Sequence, residues 1–258
     1  MAPEGNRRAT VAAAVTHGIA ELRPDPARPR AWTLLLDGVP QSYVDLDDPT
    51  RLGFGYLISA AAVLRSMTSA LVPLEVLHLG GGGLALPRFL DHIRPGSAQR
   101  VVERDGELVA LIRRMLPPPA AVQIVVGDAR RCLETEGAGR YDAIVVDVFE
   151  GASAPVSVGT TGFAEAARRA LRPDGLLVMN VTDVPPLAHT RIQVATLAAI
   201  FADVRAMAEP QMLRGRRAGN IVLVAGAAVP DRIPALVPAA ELRAFAAGAQ
   251  ARLDEPER

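Results

Sequence analysis

Val76–Leu90 reads "VLHLGGGGLALPRFL": an apolar run, four consecutive glycines, then the opening of an apolar-periodic segment. Glycines at a strand-to-helix turn let the main chain adopt conformations closed to other residues and let another group approach backbone atoms closely. Gly80, Gly82 and Ala85 satisfy G-x-G-x-x-A, a pattern whose helix N-terminus presents free N–H groups and the positive end of a dipole. On its own the pattern is a weak signal, with a tight turn meeting no ligand as the lesser alternative.

Outward from these glycines the chain alternates. Apolar runs "EVLHLG", "QRVVER", "VQIVVGD", "YDAIVVDVF" and "GLLVMNV" are separated by helical patterns around "LPRFLDHI", "GELVALIRRML", "ARRCLETE", "TGFAEAARRAL" and "LAHTRIQVATLAAIF". Apolar strands interleaved with helices predict a doubly wound, mostly parallel sheet covered on both faces, an α/β Rossmann-like domain over residues 51–258. "DVRAMAE" and "GNIVLVAG" have no helix-length segment between them, so a closing antiparallel hairpin is expected, followed by a last helix fraying into a polar tail. Before the glycines, Leu52, Tyr56, Ala60, Val63 and Met67 recur at helical steps. Residues 1–50 differ in texture: "VTHGIAEL", "AWTLLLDG" and "QSYVDL", parted by turn-forming "RPDPARPR" and "GVP", predict a small N-terminal β-hairpin unit.

Composition excludes several classes. In 258 residues, half of them apolar, 28 basic and 28 acidic side chains cancel, so there is no global field for nucleic acid or an anionic membrane. Cys132 is the single cysteine, and His17, His78, His92 and His189 lack metal-ligand spacing; no metal is expected. Arg65 and Glu75 interrupt the most apolar stretch, and Glu21 and Arg23 end the first apolar run without a cleavage signature. A cytoplasmic location is the default expectation.

Two carboxylates give the glycine turn a ligand to fit. Glu103 closes the strand after the glycines, where an acidic residue accepts both ribose hydroxyls. Asp128 closes the next strand; it suits an adenine amino group, with the Ala129 N–H donating to the ring, or equally a helix N-cap. With a fourth strand ending in Asp147 and a final antiparallel hairpin, the set points to an S-adenosyl nucleoside rather than a nicotinamide dinucleotide.

In this order "LLLDGVPQSYVD", "VLHLGGGG", "VVERD", "VVGDAR", "YDAIVVDVFEGASAP", "LRPDGLLVMN" and "GNIVLVAG" resemble the spermidine synthases, aminopropyltransferases on the class I methyltransferase fold, from Ala31 to Gly226. The resemblance implies a nucleoside site from Gln41, Gly80, Gly81, Gly82, Gly83, Glu103, Asp128 and Ala129. It makes Asp147 the base that deprotonates the attacking amine, with Glu150 assisting. S-adenosylmethionine or its decarboxylated form is the implied co-substrate, a small molecule such as an amine the acceptor, and a homodimer the implied assembly.

The departures keep alternatives open. Gly83 stands where the family has an aspartate for the donor's amino group, so intact S-adenosylmethionine, its carboxylate on the glycine N–H groups, is the rival donor. The family's tyrosine-bearing stretch becomes "DDPTRLGFGY", leaving Tyr56 out of register to deputise. Arg214, Arg216 and Arg217 fall in the region that approaches the family's acceptor, whereas Asp45, Asp47, Asp48, Glu150 and Asp183 are candidates for an acidic rim. Aminopropyl transfer, methyl transfer to an unknown acceptor, and a non-catalytic nucleoside-binding scaffold are the three resulting expectations.

Overall fold

The computed structural model describes residues 8–68, 72–149 and 154–254. The first four strands, β1 (Val11–Val15), β2 (Gly18–Pro24), β3 (Ala31–Leu36) and β4 (Val39–Asp45), form an antiparallel meander. A hairpin was expected here, with "VTHGIAEL" as a single strand. The chain instead reverses at Thr16-His17, because Gly18 takes φ +122, a conformation side chains disfavour, and Val15 then pairs back onto Gly18.

The main body follows the expected alternation. Helix α1 (Gly55–Ser66) leads into β5 (Glu75–Leu79), α2 (Ala85–Ile93), β6 (Ala98–Glu103), α3 (Gly106–Met115), β7 (Val122–Val126), α4 (Ala129–Glu134) and β8 (Tyr141–Val146). Next come α5 (Thr161–Ala170), β9 (Leu171–Asp183), α6 (Ala188–Ala198), β10 (Asp203–Met207), α7 (Pro210–Leu213), β11 (Gly219–Gly226) and α8 (Ala239–Phe245). The seven-stranded sheet has the order β10-β11-β9-β8-β5-β6-β7, parallel except at β11, which pairs antiparallel with both β9 and β10.

Period-two burial sorts these strands onto two cores. Val76, Val101, Val145 and Val178 pack with Leu57, Leu64 and Leu90 of α1 and α2. Leu77, Leu79, Ile144 and Leu177 pack with Phe163 of α5 and Val194 of α6. At about 1.5–3 kcal/mol per fully buried aliphatic side chain, a one-residue slip would exchange the two cores, so register is firmly set. Buried Arg94 fastens the end of α1 to α2 by donating to the carbonyls of Arg65 and Val72, each 2.8 Å away. That fixes the helix carrying Tyr56.

Strand order reverses between β5 and β8, so the crevice of an open α/β sheet lies at their carboxyl ends. The expected fraying of the polar tail falls largely on residues 255–258, outside the described residues. Beyond α8, Arg252 and Asp254 bond back to the start of α5.

Candidate functional site

At the crevice, a cavity of about 430 Å³ is roofed by the small sheet and α1 and floored by the strand ends. Gln41, Gly80, Gly81, Gly82, Gly83, Glu103, Asp128, Ala129 and Asp147 all line it, together with Phe149. Glu150 lies outside the described residues.

The four glycines do different things. Gly80, at φ +96, sits where a Cβ would come 2.0 Å from the Asp147 carbonyl oxygen; it lets β5 and β8 close up at the switch point. A Cβ on Gly83 would meet Ser42 Oγ at 2.8 Å and Val44 at 3.0 Å, so β4 occupies the space a longer residue would need. Gly82, at φ +45, faces open space. Thus only part of the turn is held open for a ligand.

Glu103 braces that turn from below. One oxygen accepts from the N–H of Gly81 (2.9 Å) and Gly82 (3.2 Å), and the other accepts from Asp105 (3.1 Å). A carboxylate offers about four lone-pair positions, so capacity remains for a ribose hydroxyl. Asp128 does cap α4, accepting from the Arg131 N–H at 2.9 Å, while its residue still faces the cavity. The cap and the ligand readings therefore coexist.

Asp147 is the buried charge of the site. Burial pushes its carboxyl above the ordinary carboxylate value; hydrogen bonds from Asn180 and Tyr56 oppose the rise, and the nearby Glu103 charge adds to it. Asn180 Nδ2 donates at 2.8 Å, and its Oδ1 accepts from Asn220 at 3.1 Å, which fixes the orientation of the amide. The Tyr56 hydroxyl lies against Asp147 and 3.3 Å from the Gln41 carbonyl. Burial and the Asp147 charge hold Tyr56 as a neutral phenol. His78, fully buried on β5, is lowered to about 4 by burial, with a hydrogen bond to Gln99 opposing, so it is neutral in the cavity wall.

Asn180, Asn220 and His78 were not anticipated. The one available signal for Asn180 was a polar residue ending the otherwise apolar run "GLLVMN". Tyr56, out of register in sequence, reaches Asp147 from the first turn of α1.

Two groups of charged residues stand apart from the cavity. Arg214, Arg216 and Arg217 do not line the cavity; Arg217 is in an exposed pair with Glu209 at 2.7 Å. The acidic rim disperses as well. Asp45 is buried against Arg28, Asp47 pairs with Arg30, Asp48 accepts from Thr50, and Asp183 accepts from Val184 and Thr190 at the start of α6. Among the described residues no cluster of three metal-ligating side chains occurs, and no helix is long and apolar enough to cross a membrane.

Residues 63–208 match the model of the spermine/spermidine synthase domain. A polyamine aminopropyltransferase of Chromobacterium violaceum is 32% identical over 151 residues, covering 54% of this chain and 53% of the relative. The putrescine N-methyltransferase 1 of Nicotiana tabacum is 33% identical over 121 residues, covering 43% of the chain and 32% of the relative. The chain thus spans about half the length, or less, of the curated relatives it matches. Over nearly the whole length of both chains (97% and 98%), the fold superposes on a probable spermidine synthase from Corynebacterium glutamicum with TM-score 0.90 and 30% identity.

Proposed function

Because the chain belongs to the spermine/spermidine synthase domain family, we propose that it transfers an aminopropyl group from decarboxylated S-adenosylmethionine to an amine acceptor. The observation that carries this reading is a buried carboxylate, Asp147, held by Asn180 and Tyr56 in the same cavity as the glycine turn and Glu103.

The chemistry follows from the charges. The acceptor nitrogen attacks the methylene carbon beside the sulfonium; a C–N bond forms, the C–S bond breaks towards sulfur, and neutral methylthioadenosine leaves. The nitrogen must shed a proton, and Asp147 at the open end of β8 takes it. Such a positioned base contributes a factor of about 10²–10⁴. Neutral Tyr56 and Asn180 orient its lone pairs without competing for the proton. A cytoplasmic homodimer is part of this proposal by family resemblance.

Two N–H groups of the glycine turn are already given to Glu103, which leaves less for a donor's α-carboxylate and favours the decarboxylated form. Gly83 is the observation behind a second reading, methyl transfer from intact S-adenosylmethionine, since β4 leaves no room there for an amine-binding aspartate. One assay separates the two. With decarboxylated donor and putrescine, methylthioadenosine release is expected. Silence across a series of diamines, with S-adenosylhomocysteine formed from the intact donor instead, would establish the second reading.

The same assay read against pH reports the base. Only ionised Asp147 can accept a proton, so kcat/KM should rise with pH through a value above the usual carboxylate range. Asn180→Ala removes a hydrogen bond to the ionised form, so this acid limb should move to higher pH. An unmoved limb would mean that Asp147 is not the titrating group.

A further inference from the structure

The segment beyond α8 returns to the start of α5. The Arg252 carbonyl accepts from the Thr161 N–H at 2.8 Å, and the Arg252 N–H donates to Thr196 Oγ1 at 2.9 Å. Asp254 then spends both oxygens at the start of α5. Oδ2 accepts from the Gly162 N–H at 2.8 Å, and Oδ1 accepts from the Thr160 hydroxyl at 2.9 Å. A Cβ on Gly162 would come 2.3 Å from that carboxylate, which shows how closely the two segments approach.

Arg130 closes the ring. Its guanidinium lies 2.6 Å from Asp254, 2.9 Å from Thr160 Oγ1 and 3.0 Å from the Ser157 carbonyl, and its Nε is 2.7 Å from Glu134. The residues immediately before it, Asp128 and Ala129, line the cavity on one side; Pro155, Ser157 and Val158 line it on the other. One cation therefore bridges two separate walls, and one carboxylate, 94 residues from Thr160, holds that cation and its hydroxyl partner in place.

We propose that Asp254 is a positioning residue of the nucleoside site, setting the gap between the β7–α4 turn and the Pro155–Thr160 segment through Arg130 and Thr160. The inference rests on the reading that this cavity takes an S-adenosyl nucleoside. Its physical basis is geometric. A single nitrogen of Arg130, Nη1, faces all three oxygens of Asp254, Thr160 and Ser157 while Nε is held by Glu134, so losing the carboxylate removes the charged partner that keeps Nη1 between the two segments. Burial alone would raise the Asp254 carboxyl, and hydrogen bonds from Thr160, Arg130 and Gly162 outweigh it, leaving the group below its usual value and charged.

A purely structural role, capping α5, would move stability and nothing else. The test is calorimetric titration of the full chain with methylthioadenosine, wild type against Asp254→Asn, below the thermal midpoint of both. Amide hydrogen exchange is followed in parallel at residues 155–163. Affinity is expected to fall roughly tenfold, about the value of one charge-assisted hydrogen bond, with faster exchange at Ser157–Phe163 and unchanged exchange in β5. Asp254→Glu should recover part of it. Should Asp254→Asn fail to fold, Arg130→Lys, which keeps the charge but reaches fewer oxygens, is expected to show the same loss. Faster exchange with wild-type affinity would overturn the proposal and leave Asp254 a helix cap. Failure of the wild type itself to bind methylthioadenosine would sink the nucleoside reading, and the proposal with it; that outcome is recognised because the unmutated chain shows it.

Discussion

Asp147→Asn should lower aminopropyl transfer by a factor of about 10²–10⁴ and at the same time raise the thermal midpoint at any pH where the wild-type carboxyl is ionised. The two effects have one cause. Burial raises the Asp147 carboxyl above its ordinary value, so the folded chain holds this proton more tightly than the unfolded chain does. For such a group the stabilising contribution is fully present below the unfolded pKa and is lost as pH rises through the folded one. Wherever Asp147 is ionised its charge is therefore a cost to the fold, which the proposed role as base would account for. Asparagine keeps the size and an oxygen to accept from Asn180, and removes the charge. The midpoint advantage of the variant should shrink as pH is lowered, since the wild type then recovers its proton. Turnover near the wild-type rate would end the assignment of Asp147 as base. A variant less stable than wild type at every pH would end the account of its burial.

The features legible in sequence were those decided within one strand or one turn. Alternating apolar runs predicted the parallel sheet, because two-sided burial leaves a pattern in each strand regardless of its neighbours. Glu103, Asp128 and Asp147 stood out because each closes one of the successive strands around the glycine turn. What escaped depends on how separate segments meet. Asn180 reaches Asp147 and Asn220 reaches Asn180 only through the register of β9 with β8 and β11. Gly83 read as a missing aspartate. In the fold it is a contact with Ser42 and Val44, set by the docking of the small sheet on the turn. The Thr16-His17 reversal was hidden for a related reason: an apolar run on both sides of a two-residue turn looks like one strand until Gly18 is seen to bend.

Gly80→Ala tests the other half of the site, and its effect should be the largest on folding. A Cβ at this position would stand 2.0 Å from the Asp147 carbonyl oxygen and 2.7 Å from its carbonyl carbon, both backbone atoms with little freedom to yield. The φ of +96 adds strain for any residue bearing a side chain. Together these should cost at least about 3 kcal/mol, read as a drop in the urea midpoint. The clash falls on the backbone of Asp147 itself, so surviving folded protein should carry a displaced Asp147. A displacement near 1 Å is enough to cost about a hundredfold in rate. Gly82→Ala is the matched control: φ is +45 and no atom lies within 4 Å of the new methyl, so only about 1–2 kcal/mol of left-handed backbone strain is expected. If the two variants behaved alike, the glycines would serve the ligand alone. A large gap in stability would show that the first glycine exists to let β8 bring Asp147 up against the turn by direct backbone contact.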